Sequence, residues 1–571
     1  MSIDNTEKLS PVEIIKVHSD HLRGSIAAEL ENNLSGGVAE SDQNLIKFHG
    51  IYQQDHRDRR AARARRKLEP DYSFMIRLRV PGGLLTPAQW LAVDSAAAEL
   101  SEAGSLRLTT RQTLQFHGVA KENLRALLSA CARRLLDSIA ACGDVNRNVM
   151  CSPHRGASPI HAAAYAAAAQ VSAKLLPASR AYYEIWLGEE KLAGSAPETE
   201  PLYGERYLPR KFKVGVAVPP SNDVDIYSQD IGFVAVAKGG ILRGFNVLVG
   251  GGLGMTRGDV RTYPRLATEI GLCRPQEVGE VAWHLAALQR DYGARDERKQ
   301  ARFKYTIDRL GVDFVRDELT RRLGFDLAAA AAVKWQGRGD FFGWKRRASG
   351  LWDLGLFVAN GRLSDGALRQ ALREIAAVGG CYFMLTPNQN IIITDIAKTQ
   401  RARLLAIFDR LGVAHTAAHL SGLRKSAMAC VALPTCPLAM AEAERYLPSL
   451  LDKLERELSA VGLSADDITL RITGCPNGCV RPYLGEIGLV GRAAERYDLY
   501  LGASAQGTRL SSLAAVNLDE AGIIDNLRHL FLRYAEARRK NERFGDFLIR
   551  IGRVRAPRAA ADFHQVAASS N

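Results

Sequence analysis

No run of about 20 apolar residues, the length a membrane span requires, occurs in this 571-residue chain. The most apolar stretch, Ile160 to Leu176, is interrupted by His161, Gln170, Ser172 and Lys174 and predicts an Ala-rich soluble helix. The first residues, MSIDNTEKLSPVEIIK, contain no basic segment running into an apolar one, so a secretory signal is not expected and a cytosolic chain is. Nucleotide motifs are missing too. VGGGLGMTRGD (249–259) is glycine-rich but fits neither G-x-G-x-x-G nor a Walker loop, so bound flavin or nicotinamide is not expected and electrons must come from another protein. Acid is in deficit, with 62 Asp+Glu against 76 Lys+Arg and a net charge of +14, which asks for an anionic partner. Cysteine is scarce and odd in number, nine in all, so a disulfide framework is not expected.

Five of the nine cysteines are scattered and read as small buried hydrophobes. The other four are grouped, Cys430 and Cys436 in ACVALPTCPLAM, Cys475 and Cys479 in TGCPNGC. Their pattern is C-x5-C, a 38-residue gap, then C-x3-C. Zinc sites favour pairs two to four residues apart, so an iron–sulfur cluster on four thiolates fits better. Ile468, Leu470 and Ile472 alternate and predict a strand delivering Cys475 to a Gly-Pro-Asn-Gly turn whose amides can face cluster sulfurs. Pro437 predicts a helix starting after Cys436, whose N-terminus would lower the thiol pKa values.

Basic residues recur at alternating positions, where a strand gathers them on one face. Arg77 and Arg79 do so in MIRLRVPGG. In LRLTTRQTLQFHG one continuous strand would align Arg107, Thr109, Arg111, Thr113, Gln115 and His117. LPRKFKVGVAV adds Arg210, Lys211 and Lys213, and DVNRNVMC adds Arg147 between two asparagines. A single such strand could be a solvated sheet face, but these faces jointly lack acidic neighbours and must neutralise something polyanionic. A nucleic-acid groove would interleave aromatics as stacking platforms, and these faces offer Thr, Gln and His, so a small anion or polycarboxylate fits better. The run RDRRAARARRK (57–67), with seven basic residues and one acid, reads as a solvated helix or a docking segment.

The chain repeats itself weakly. RLTTRQTLQFHG (107–118) aligns with MLTPNQNIIITD (384–395), each after a helix-like stretch (86–100 and 364–378), with Arg107 replaced by Met384 and Arg111 by Asn388.

These motifs resemble those of the sirohaem sulfite and nitrite reductases, from FHGIYQQDHRDRR (48–60) to FGDFLIRIG (544–552), most specifically in TCPLAMAEAER (435–445) and TGCPNGC (473–479). The resemblance implies a duplicated α/β (α+β) fold with pseudo-twofold symmetry, three domains around a sirohaem–[4Fe–4S] centre. It implies a sirohaem whose eight carboxylates account for the basic faces, and a [4Fe–4S] cluster on Cys430, Cys436, Cys475 and Cys479, with Cys479 also reaching the sirohaem iron. By motif position Arg77, Arg147, Lys211 and Lys213 match substrate-binding residues, the arginines as oxyanion clamps and the lysines as a proton relay. Arg107, Arg111, Arg210, Gln115 and His117 match positions near the sirohaem carboxylates. The implied reaction is the six-electron reduction of sulfite to sulfide, with electrons from NADPH through a separate flavoprotein subunit carrying FAD and FMN. Nitrite reduction, or a ferredoxin donor, is the alternative on the same cofactors. Nitrite-type members tend to read Arg-Lys-Trp-Asn where this chain has Arg210-Lys211-Phe212-Lys213, and a second lysine suits a dianion.

Two departures from the family pattern stand out, Val480 after the last cysteine and Gly143 before Asp144 where asparagine is usual. The domains expected are an N-terminal arm (1–74), duplicated half-domains (75–139 with 343–417), a sirohaem and substrate domain (140–342) and a cluster domain (418–571). A basic iron–sulfur protein acting on nucleic acid is the rival of another class; it leaves the aromatic-free faces unexplained.

Overall fold

The computed structural model describes residues 9–179, 181–182 and 200–566. Four five-stranded sheets are built from β1 to β20 in chain order. The first sheet holds β1 (Ile51–Asp55), β2 (Tyr72–Arg77), β4 (Leu106–Leu108) and β5 (Leu114–Val119), and the second β6 (Met150–Cys151), β7 (Val214–Ala217), β8 (Ile231–Lys238), β9 (Ile241–Val249) and β10 (Thr268–Cys273). The third holds β11 (Gly343–Arg346), β12 (Trp352–Leu356), β14 (Tyr382–Leu385) and β15 (Ile391–Ile396), and the fourth β16 (Met428–Ala429), β17 (Leu470–Thr473), β18 (Ile487–Ala493), β19 (Arg496–Leu501) and β20 (Ser512–Leu518). Two short strands change sides. β3 (Leu84–Leu85) completes the third sheet beside β14, and β13 (Arg362–Leu363) completes the first beside β4.

This exchange is the pseudo-twofold relation. First and third sheets read β1-β2-β5-β4-β13 and β11-β12-β15-β14-β3; second and fourth share one order and one pattern of parallel and antiparallel pairs. The repeat visible in sequence covers only the first and third sheets, whereas the structure extends it to all four. The segment expected as an arm also contributes β1, an edge strand of the first sheet.

Local signals explain the elements that hold the halves together. Thr86 caps the helix Pro87–Leu100 through a reciprocal pair with Gln89, with Pro87 as its first residue. That helix packs on its counterpart Ala367–Val378, where buried Arg369 donates to the carbonyl of Asp94 at 2.7 Å and to its carboxylate. One apolar core runs between Leu22 and Phe408 and a second between Leu423 and Val554. The site lies where they meet.

Two local expectations are corrected. Residues 106–119 are not one strand but a hairpin, β4 and β5 joined by a turn with Gln112 at φ 53°. The Thr109 hydroxyl accepts from the amides of Arg111 (3.2 Å) and Thr113 (3.3 Å), a local bond that competes with the extended ladder. No helix begins at Pro437 either. Residues 434–446 run in turns, with the amides of Met440 and Ala441 taken by the Gly474 carbonyl at 2.7 and 3.1 Å, and the helix starts at Leu447. The glycines of 249–255 serve close packing: a side chain at Gly251 would come within 2.3–2.4 Å of the carbonyls of Tyr227 and Gln229.

Candidate active site

The hairpin makes the basic row denser than a single strand would. Arg107 on β4 faces Gln115 on β5, Gln115 faces Arg77 on β2, and Arg362 on β13 lies beside Arg107. Four residues from four strands thus form one row, and His117 follows two residues along the same face. Thr109, Arg111 and Thr113 leave that face with the turn, and Arg79, past the end of β2, pairs with Asp137 at 3.0 Å. The Gln115 amide lies between Arg77 and His117, its oxygen accepting from Arg77 Nε at 3.0 Å when turned that way. His117 is held well below its usual pKa, first by burial and then by Arg362, Arg107 and Arg77, and is neutral.

A second group stands on backbone pairing between two loops. The amide of Phe212 bonds the Val145 carbonyl at 3.1 Å and the amide of Arg147 bonds the Phe212 carbonyl at 2.9 Å. This stitches Arg147 to the segment Arg210-Lys211-Phe212-Lys213. Phe212 is buried in the core, so the lysines on either side turn the other way. Arg147 donates to the Gly143 carbonyl (3.2 Å) and the Tyr52 hydroxyl (3.4 Å), while Arg77 donates to the Cys142 sulfur at 3.0 Å. Burial depresses the pKa of both lysines well below the usual range. Arg210, Arg147 and Arg302 add to this at Lys211, and Lys211, Arg111 and Arg302 at Lys213. Arg111 donates to Gln229 (2.9 Å) and the Asn148 carbonyl (2.5 Å) and is lowered to about 9, again by burial and by Arg147. Arg210 is lowered to about 10 by burial and by Arg298.

The cysteine quartet closes the site from the fourth sheet. β17 delivers Cys475 as expected, and the cysteines sense one another electrostatically. Burial raises Cys430 and Cys436 and pushes Cys475 up to about 12, the reverse of the lowering expected from a helix terminus. Cys430 sulfur accepts from the Gly474 amide at 3.3 Å, and Asn477 Nδ2 lies 3.6 Å from Cys475 sulfur. Among the described residues no three His, Cys, Asp or Glu groups close to the spacing of a single ion's shell, whereas a four-iron cage holds its thiolates at its outer corners. Cys479 is exposed and acts on both Lys211 and Arg107, so the quartet and the cationic set adjoin.

Buried side-chain atoms without hydrogen-bond partners occur in both regions: Arg111 Nε, His117 Nδ1 and Asn146 Oδ1 among the cations, Thr435 Oγ1 and Thr473 Oγ1 beside the cysteines. The cations outnumber Asp144 and Asp230, the acids nearest them. A macrocycle with many carboxylates beside a thiolate-held cluster fits this donor set.

Several contributors were not identified from sequence. Arg362 and Glu444, both half-buried, form a hub with buried Arg107, Glu444 accepting from Arg362 Nε at 2.6 Å and from Arg107 at 2.7 Å. Arg107 also donates to the Ala429 carbonyl (2.8 Å), tying β4 to the cysteine segment. Lys47, Tyr52, Arg302 and Asp230 border the cations from distant segments. No sequence spacing relates them.

The pseudo-twofold relation supplies an internal comparison. By strand register Lys211, Lys213, Arg111 and Arg147 correspond to Asp467, Thr469, Asn388 and Lys425. These four line a cavity of about 550 Å³ with Ser221 and Arg338. The counterpart of the 475–481 loop is 219–225, where Asp223 replaces Cys479. At one of the two related positions the cations of the second sheet meet the cysteines of the fourth, and at the other Asp467, Thr469 and Asp223 stand in the places of Lys211, Lys213 and Cys479.

Known proteins agree with this geometry. The family model described as nitrite/sulfite reductase ferredoxin-like half domain matches residues 65–134 and 345–411, over the first and third sheets. The model described as nitrite and sulphite reductase 4Fe-4S domain matches 166–327. That stretch contains only Cys273 of the nine cysteines, and by strand register it holds Pro219 and Asp223, the counterparts of Cys475 and Cys479. Two curated relatives are called sulfite reductase [NADPH] hemoprotein beta-component. The one from Shouchella clausii is 51% identical over 561 residues, covering 97% of this chain and 98% of the relative. The one from Bacillus subtilis is 49% identical over 559 residues with the same coverage. The solved structure of Mycobacterium tuberculosis NirA protein aligns with a TM-score of 0.79 and 25% identity over 96% of this chain and 98% of that one. Shared sequence over nearly its whole length and a fold duplicated in the same way make this chain a member of the nitrite and sulfite reductase family.

Proposed function

We propose that the chain is the hemoprotein component of an assimilatory sulfite reductase, reducing sulfite to sulfide with six electrons. The observation that carries this reading is that residues of three separate segments adjoin: Lys211 is within electrostatic reach of Arg147 and Cys479, Lys213 of Lys211, and Arg77 and Arg147 both of Tyr52. When bound, the sirohaem and [4Fe–4S] cluster would pass the donor's electrons to the substrate. The protein must bind a dianion, orient it and deliver protons, seven in all to yield hydrosulfide and three waters.

Arg77 and Arg147 suit the binding task, because guanidinium stays charged and offers donors in a planar fork matched to oxyanions. Gln115 and Gly143 hold them in place. Lys211 and Lys213 suit proton delivery. Burial and neighbouring cations weaken the hold of each Nζ on its proton, and an arriving dianion restores it until an oxygen takes the proton away. Neutral His117 orients Gln115 and Arg77 rather than adding charge.

Cys430, Cys436, Cys475 and Cys479 would hold the cluster, and Cys479 would also reach the sirohaem iron. Arg111, Arg210, Gln115 and His117 would pair with the sirohaem carboxylates, and Arg107 ties its strand to the cysteine segment through the Ala429 carbonyl. The relatives' designation as a beta-component supports a separate electron-donating subunit. We assign it as an NADPH-oxidising flavoprotein carrying FAD and FMN. No helix among the described residues is long and apolar enough to cross a membrane, which suits a cytoplasmic pair.

The cofactor-loaded protein, given sulfite and a chemically reduced viologen dye, is expected to consume six electrons per sulfide formed. Failure to form sulfide at full cofactor content would overturn the assignment.

A further inference from the structure

The basic run 57–67 is not used by the chemistry, and its placement gives it a second role. Its first residue is anchored on the cysteine segment: the Arg57 amide donates to the Pro434 carbonyl at 3.1 Å, and its guanidinium to the carbonyls of Cys436 (3.3 Å) and Ala439. Arg445, at the end of the motif that carries Cys436, pairs with Asp58 at 2.8 Å. The short helix Arg60–Arg65 therefore rises from the same surface as one of the four proposed cluster ligands.

Its cations divide into two sets. Arg59, Arg60 and Arg63 are neutralised at home by Asp71, Asp55 and Asp71. Arg65, Arg66 and Lys67 are exposed and have no carboxylate partner among the described residues. Three adjacent exposed charges repel one another and gain nothing from packing. The two segments joined by Arg57 and Asp58 each expose an apolar side chain, Leu68 at 43% after Lys67 and Leu438 at 63% two residues beyond Cys436. An apolar contact within a charged rim is the make-up of a transient protein interface, and electron transfer demands that a donor approach the cluster from outside.

We propose that Arg65, Arg66 and Lys67, with Leu68 and Leu438, form the docking surface for an acidic flavin domain that delivers electrons to the cluster. This rests on the assignment of a separate flavoprotein donor. Attraction between the three cations and carboxylates around the flavin speeds encounter and orients it over the cysteine segment, and salt screens it.

The test is the R65E/R66E/K67E variant of the cofactor-loaded protein, with R65Q/R66Q/K67Q beside it. Sulfite reduction is driven in one arm by NADPH through the cognate flavoprotein and in the other by reduced viologen dye. Flavoprotein-driven kcat/KM at low salt is expected to fall at least tenfold in the Glu variant and less in the Gln variant, with a shallower dependence on salt. Dye-driven turnover is expected to stay at the parent level. Unchanged flavoprotein-driven rates, or an equal fall in both arms, would overturn the proposal. Loss of dye-driven sulfide formation in the parent protein would instead overturn the functional assignment.

Discussion

Asp225 and Arg481 occupy corresponding positions in the two halves, and they meet. Each precedes a short 3-10 turn with φ near +50 to +60°, at 48° and 60°. Fully buried Asp225 accepts from Arg481 Nε and Arg471 Nη1 on one oxygen and from Arg338 on the other, the last two at 2.7 Å. Arg481 also donates to the carbonyls of Thr110 and Pro387, both at 3.0 Å, which are the same position in the two related hairpin turns. Thr110 in turn donates to the Cys479 carbonyl at 3.0 Å. One guanidinium therefore fixes the turn that carries Arg111 to the loop that carries Cys479. Removing one member of a buried ion pair costs about 3–5 kcal/mol. Arg481→Met should fall at the lower end, about 3 kcal/mol, because Asp225 keeps two arginines. Asp225→Asn should reach about 5 kcal/mol, because three buried guanidiniums lose their counter-charge. The three arginines hold the Asp225 carboxyl far below the usual range, so its contribution is present above a pH of about 4 and is lost as pH falls towards the native value. Calorimetry and iron content across pH 3–8 measure this. The gap in Tm between Asp225→Asn and parent should be full at pH 7 and shrink in acid. Equal Tm and iron content at pH 7 would refute the keystone argument.

Asp223, the counterpart of Cys479, behaves oppositely: burial raises its pKa to about 6, so it destabilises the fold by about 3 kcal/mol once pH exceeds that value and by nothing below about 4. Asp223→Asn should therefore raise the Tm at pH 7.5 and leave it unchanged near pH 4, as scanning fluorimetry would reveal. Glu444→Gln removes the only carboxylate bonded to Arg107 and Arg362 among the described residues, and the added positive charge beside the cysteine segment should raise the cluster's reduction potential. An EPR-monitored redox titration checks the direction.

What could be read from sequence follows from how local each signal is. The strand before Cys475 and the alternation around Phe212 each depend on a few adjacent residues, and the structure has them as expected. The sequence does not separate a hairpin at 109–113 from a continuous strand, because Thr and Gln continue a polar alternation whether the chain runs on or turns. Only the Thr109 hydroxyl, bonding its own backbone, decides between them. Pro437 likewise looked like a helix start, but the Gly474 carbonyl claims the amides a first turn would have used. The second and fourth sheets escaped detection as a repeat because the duplicated positions now carry opposite chemistry, Lys211 against Asp467 and Asp225 against Arg481. Arg362 and Glu444 reach the site from segments separated by about 80 and 340 residues from the groups they touch, a relation created by strand exchange.

The claim at the centre of this account is that the second lysine adapts the site to a dianion. At an effective dielectric of about 20, a unit charge about 4 Å away is worth about 4 kcal/mol, and a dianion feels it twice where nitrite feels it once. The most direct measurement is the ratio of kcat/KM for sulfite over nitrite, dye-driven, in the parent protein and in Lys213→Asn. The account predicts a parent that prefers sulfite and a ratio that falls at least tenfold in the variant, mainly through sulfite. A ratio unchanged by the substitution, or a parent that prefers nitrite, would contradict it.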